Sequence, residues 1–289
     1  MTLANLLILP IKASLITLMI ALGLGLRPHR LAEHRQRPWL VLRGVLGSCV
    51  LVPLVALALL KLPVSQSMSA GARLGIALMA LCPSAPLTLR KAGVQGGDAH
   101  LAAVLQVAAA LGAVVSVPLL SDVFRASFPV QGWAIQPGQV AWQVGLVQVL
   151  PLAAGVLLGH WRPRLAARWA VATQKAALLM TLIVVGLVFG LVLPQLVSFL
   201  RANLLAIGAM VAMTTAALGI GYGLGGGEPQ GRLTMALVTS MRNPGLALLL
   251  AVTHGSDVLG LRLAIVTYLL VTLLVSIPFL RWAQRPIRA

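Results

Sequence analysis

Long apolar runs separated by short polar links dominate this chain. A bilayer core about 30 Å thick takes about 20 apolar residues in helix. On that ruler nine segments emerge, roughly 4–26, 39–60, 72–90, 99–123, 140–160, 177–199, 202–225, 233–254 and 260–281. The expected fold is therefore all-α, a polytopic membrane protein of about nine transmembrane helices. The third and eighth segments are interrupted.

Charge then decides between water and lipid. Of 289 residues, 59% are apolar and 9% are charged, against about a quarter in soluble domains. Lipid must cover most of such a surface, which excludes an ordinary soluble enzyme, a disordered chain and a disulfide-stapled module. The net charge is +17, from 22 Lys and Arg against five acids. The bases lie in links between apolar runs, the loop bias of a membrane protein, so no nucleic-acid partner is expected. Cys49 and Cys82 both fall within apolar segments and read as small packed hydrophobes. The first apolar stretch exceeds the length of a leader's apolar region and lacks a basic start, so it reads as a span.

The links also set an orientation. Arg27, Arg30, Arg35 and Arg37 follow span one, and Arg90 and Lys91 follow span three. Arg162, Arg164, Arg168 and Lys175 follow span five, while Arg281, Arg285 and Arg288 form the tail. If the spans alternate, these groups share one face, expected to be cytoplasmic, with the N-terminus outside. Spans one to four and six to nine each hold a proline-interrupted third member, and the halves would be inverted about span five. Inverted repeats with paired broken helices mark secondary transporters.

The interruptions carry the chemistry. Span three contains "LCPSAPLTL", where Pro83 and Pro86 each remove a backbone donor and clash with the preceding turn. Ser84 and Thr88 stand beside that break. Span eight contains "VTSMRNPGLA", where Thr239, Ser240, Arg242 and Asn243 precede Pro244 and Gly245. Pro244 breaks the ladder, and Gly245 offers unusual dihedrals. Arg242 lies near the middle of its span, too deep to snorkel easily, and costs several kcal/mol there unless it is paired. It either binds the carbonyls freed in span three or receives an anion.

These two segments, with "GDAHLAAVLQVAAAL" at 97–111 and "RPWLVLRGVLGSCVLVPLVALALLKL" at 37–62, resemble the bile acid:sodium symporter family over most of the chain. The resemblance implies a core domain, about 39–123 and 202–281, in which two broken helices cross. It also implies a panel of about 4–26, 140–160 and 177–199. Family members typically have ten spans, and the nine counted here correspond to those without the first. Transport of organic anions, often driven by sodium, is the implied activity. At the positions where sodium-coupled members carry Glu and Gln, this chain has Val238 and Arg242. The family's Asn in span three falls on Leu89, with a hydroxyl kept at Thr88. Two hydroxyl positions become Ala102 and Gln106, and a Gln becomes Ser48. A guanidinium within a few ångströms of a sodium site would repel the ion.

The expectation is a secondary carrier in the cytoplasmic membrane, moving a small organic anion by alternating access without sodium. Arg242, Asn243, Ser240, Thr239, Thr88, Ser84 and Gln106 are the expected substrate contacts. Pro83, Pro86, Pro244 and Gly245 are the structural breaks. No cofactor or metal is expected, sodium being the doubtful exception, and the partners are the anion and the bilayer. The alternatives are a sodium-coupled symporter and a binding protein without turnover. No hydrolytic constellation is present, so an enzyme is not expected. The glycine run "GYGLGGG" at 221–227 reads as a turn rather than a phosphate loop. The segment 161–175 reads as a short amphipathic surface helix.

Overall fold

The computed structural model describes residues 3–26, 38–86, 88–127, 136–254, 258 and 260–285. Among them there are helices and no strands. The helices are α1 (Leu3–Gly25), α2 (Pro38–Lys61), α3 (Ala70–Leu81), α4 (Thr88–Val94), α5 (Ala99–Ser127) and α6 (Gly138–Trp161), followed by α7 (Pro163–Ala202), α8 (Leu204–Leu224), α9 (Pro229–Ser240), α10 (Pro244–His254) and α11 (Leu261–Ala283). Among the described residues eight stretches are long and apolar enough to cross a bilayer, one of them the interrupted pair α9–α10. The shorter apolar helix α3, followed by α4, falls on the remaining expected segment, so the expected count of about nine roughly fits. The link at 27–37 and the residues Asp257 and Arg288 lie outside the described residues.

Helix–helix contact rests on small residues, as it does where lipid gives helices no hydrophobic drive to associate. A Cβ on Gly155 of α6 would lie 2.6 Å from the Ile20 carbonyl oxygen of α1 and 3.0 Å from the Gly23 Cα. Farther along α6, Gly159 faces the carbonyls of Gly23 and Leu26. Residue numbers therefore rise together, so α1 and α6 run parallel, as simple alternation of spans one and five requires. Helix α1 also packs along α7 and meets α10, while α3 packs on α11 and α8 on α9.

Two helices hold a π-helical turn, Gly47–Leu51 within α2 and Gly145–Val149 within α6. Such turns are rare and occur often at functional sites. At the end of α8 the chain reverses through Gly225–Gly227, with Gly226 at φ +80°. A Cβ on Gly225 would meet the Arg232 Cα at 2.3 Å. The glycine run is thus the turn expected of it.

One expectation fails. The segment 161–175 is no separate surface helix: α7 runs unbroken through 40 residues from Pro163 to Ala202. At 1.5 Å per residue it is about 60 Å long, about twice the bilayer core. Arg164, Arg168, Gln174 and Lys175 make the first turns of this helix polar. They do not mark a helix end, because Arg, Gln and Lys are all good helix formers.

Candidate functional site

The two broken helices meet at their breaks. Helix α3 ends at Cys82, whose N–H still reaches the Leu78 carbonyl at 3.0 Å. Helix α9 ends the same way at Met241, bonded to Leu237 at 2.9 Å. Both residues then turn to extended backbone. The unwound segments exchange two backbone bonds, Ala85 N–H to the Met241 carbonyl at 2.8 Å and Asn243 N–H to the Cys82 carbonyl at 3.1 Å. Prolines at 83, 86 and 244 have no N–H to give, so each break offers more carbonyls than donors.

Arg242 supplies the missing donors. Its side chain is 2% exposed. Nε donates to the Met79 carbonyl at 3.0 Å and Nη2 to the Ala80 carbonyl. Nη1 donates to the Ser48 carbonyl at 2.8 Å and the Ser48 hydroxyl at 3.1 Å. Met79 and Ala80 are in the last turn of α3, where helical carbonyls have no partner of their own. Ser48 sits in the π-helical turn of α2. The C-terminal ends of α3 and α9 both converge on this cation, the favourable end of each helix dipole. At most one of its five N–H groups, on Nη2, is left for another acceptor.

A second polar lock lies beside it. Ser84 is wholly buried and holds φ +32°, a conformation few non-glycine residues adopt. Its hydroxyl donates to Gln106 Oε1 at 2.6 Å, and Gln106 Nε2 returns a bond to the Ser84 carbonyl at 3.0 Å. The unusual dihedral expected at Gly245 thus falls on Ser84, and Gln106 of α5 holds it there. Gly245 serves close approach instead, because a Cβ there would sit 3.1 Å from Leu15 of α1. Pro244 begins α10 at a position where its missing N–H costs nothing. Asn243 caps that helix, its Oδ1 accepting from Leu246 N–H at 3.0 Å.

The remaining expected residues behave differently. The Ser240 hydroxyl bonds within its own turn, to the Leu237 carbonyl at 3.4 Å. Thr88 Oγ1, Thr239 Oγ1 and Asn243 Nδ2 are buried without any partner. All seven expected site residues are buried at or beside the crossing. Two cavities lie elsewhere, one of about 590 Å³ by Trp161, Arg162, Arg164 and Arg168, the other of about 240 Å³ by Leu7, Gln195 and Arg262.

The described acids are at helix ends. Asp98 Oδ1 caps α5 through His100 and Leu101 N–H, and Asp122 pairs with Arg125 at 2.9 Å. Glu228 precedes α9. Among the described residues no group of three or more His, Cys, Asp or Glu could hold a metal ion.

The sodium bile acid symporter family matches residues 13–199. The chain belongs to this family. Its relatives include a probable chloroplastic sodium/metabolite cotransporter of rice, Oryza sativa subsp. japonica, 26% identical over 83% of this chain and 56% of the relative. An uncharacterized sodium-dependent transporter of Bacillus subtilis is 27% identical over 86% of this chain and 75% of its own length. The chain thus spans a little over half of the rice protein. Family and fold agree on a multi-pass membrane protein of a secondary-transporter family.

Sequence reasoning located Arg242 and Gln106 and offered the carbonyls freed in span three as one reading for Arg242, where Met79 and Ala80 accept from it, but not the Ser48 oxygens or the Ser84–Gln106 pair. It passed over Gln148, which is 1% exposed within the π-helical turn of α6 and has no partner for Nε2. The available signal was an amide inside the apolar run "GLVQVL".

Proposed function

We propose that the protein is a secondary transporter of a small organic anion in the cytoplasmic membrane, working by alternating access and without sodium. Carrying this reading is the Arg242 guanidinium, lodged among the carbonyls of Met79, Ala80 and Ser48. In broken-helix carriers, unwound carbonyls and half-helix C-termini are where a coupling cation is held. Here a fixed cation occupies such a place. Two unit charges about 4 Å apart repel by about 4 kcal/mol at an effective dielectric of about 20. The donor set does not fit sodium: a guanidinium stands at its centre and no described carboxylate lies near it.

On this reading the helices α1, α6 and α7 form the panel, and the inverted halves place both breaks at mid-membrane. The anion meets the other side of the crossing. There α10 presents its positive N-terminal end, and Asn243 Nδ2 and the Thr88 hydroxyl are free to bond it, while the Thr239 hydroxyl, also unbonded, lies in the last turn of α9. Ser84, Ser240 and Gln106 shape that wall. Arg242 contributes positive potential, and its remaining N–H is available to the anion. The N-terminus lies outside, the basic links inside, and no bond-making step is involved.

The test is uptake of cholate and of pyruvate into proteoliposomes with sodium replaced by choline. Flux that persists supports the reading. A second reading, sodium-coupled symport, is favoured by the family's description and by the names of both relatives, and an absolute sodium requirement would establish it. Binding without flux into liposomes would establish a non-transporting binder.

A further inference from the structure

The panel carries its own polar group, which none of the crossing's bonds uses. Gln148 stands on α6, 1% exposed, and its Nε2 has no acceptor. The π-helical turn that holds it, Gly145–Val149, packs against α1 and against α5. A buried amide without an acceptor is costly wherever water is absent. The surroundings do not relieve it. One turn farther along α6, Leu152 shares an apolar cluster with Met19 of α1 and with Ala103 and Ala110 of α5.

The depth of this amide follows from the parallel register of α1 and α6. Gly155 meets Gly23. Seven residues back along each helix, Gln148 comes level with Ile16, next to Leu15. The Leu15 side chain approaches Gly245, at the start of α10. A second path agrees, because Gln106, which holds Ser84, lies between Ala103 and Ala110 on α5. Gln148 is therefore on the panel at the level of the crossing in the core.

The geometry points to Gln148 as the panel-side contact of the transported solute, its Nε2 donating to a carboxylate or other anionic oxygen. Asn243 Nδ2 is the matching free amide donor on the core side. A solute bonded to both would join panel and core in one state and release one of them in the other. The π-helical turn gives this arrangement a local cause, because its extra residue shifts the face that α6 presents. This inference rests on the anion-transport reading and adds to it a residue and an acceptor class.

The experiment uses the chain's two cysteines, Cys49 and Cys82, replaced by alanine so that Gln148→Cys is the only thiol. Membranes holding this variant are treated with the anionic reagent methanethiosulfonate ethylsulfonate, with cholate or pyruvate as probe. The expected result is modification of position 148, slowed about tenfold by a probe that the wild type binds. No modification in any condition would overturn the inference. So would modification that a bound probe fails to slow.

A wild-type protein that binds neither probe overturns the anion reading and the ligand assigned here. The modification rate then still shows whether position 148 faces a water-accessible path. On the unaltered cysteine background, Gln148→Leu should weaken probe binding roughly ten- to a hundredfold, as loss of a bond to a charged partner does. The melting temperature should hold or rise. Gln148→Glu should weaken binding further by repulsion. A folded Gln148→Leu protein with unchanged affinity would overturn the inference independently.

Discussion

The two sides of the crossing are built from the same kinds of residue and are satisfied very differently. On the side where α3 and α9 end, the exposed carbonyls of Met79 and Ala80 have a donor in Arg242, and Ser84 is held from two directions by Gln106. On the side where α4 and α10 begin, Thr88 Oγ1 and Asn243 Nδ2 are equally buried and bond nothing, as is true of Thr239 Oγ1 in the last turn of α9. Native proteins leave few buried polar groups unpaired. Two such groups, at the starts of α4 and α10, stand opposite the largely bonded carbonyls where α3 and α9 end.

The sharpest way to break this comparison is to remove the brace. Arg242→Ala frees three carbonyls in an apolar interior and takes away the cation that faces two helix C-termini. Loss of one partner from a buried charged set costs about 3–5 kcal/mol. Thermal unfolding in detergent should show a large fall in melting temperature. Unchanged stability would mean that Arg242 braces nothing.

A smaller loss, about 1–3 kcal/mol, is expected for Gln106→Leu, which strips both bonds from Ser84 in its unusual backbone conformation. Denaturation of the folded variant and its initial uptake rate should both register the change. A comparable loss, about 1–3 kcal/mol, is expected between α1 and α6 from Gly155→Ala, because the added carbon meets the α1 backbone. Its melting temperature should fall while the probe affinity of the folded fraction holds.

The opposite behaviour is expected across the crossing. Thr88→Val removes a hydroxyl that bonds nothing and keeps the shape. Stability should change by about 0.5 kcal/mol or less, or rise, while probe affinity falls. If Thr88→Val destabilised as strongly as Gln106→Leu, the two sides would not differ as described.

Hydropathy and proline made most of the architecture legible. The all-helical succession of apolar spans, both breaks and the glycine turn at 225–227 follow from how lipid treats apolar side chains and how proline treats a helix. Boundaries set by charge were less secure, because Arg164 and Lys175 add charge without ending α7. The site was legible as a set of side chains and only in part as a set of bonds. The two prolines of span three pointed to freed carbonyls such as those of Met79 and Ala80 as acceptors for Arg242, whereas the Ser48 oxygens come from a helix whose sequence shows no break. The π-helical turn behind Ser48 has no residue signature either. Gln148 escaped because one amide in a greasy run becomes informative only when its neighbours are known to offer it no acceptor.

The central claim is that Arg242 takes the place of a mobile cation at the crossing. Initial uptake of an anion that the wild-type protein carries, compared in sodium-containing and choline-containing proteoliposomes, tests it most directly. The account predicts a ratio of rates near unity. Uptake that vanishes in choline and returns with sodium would contradict it.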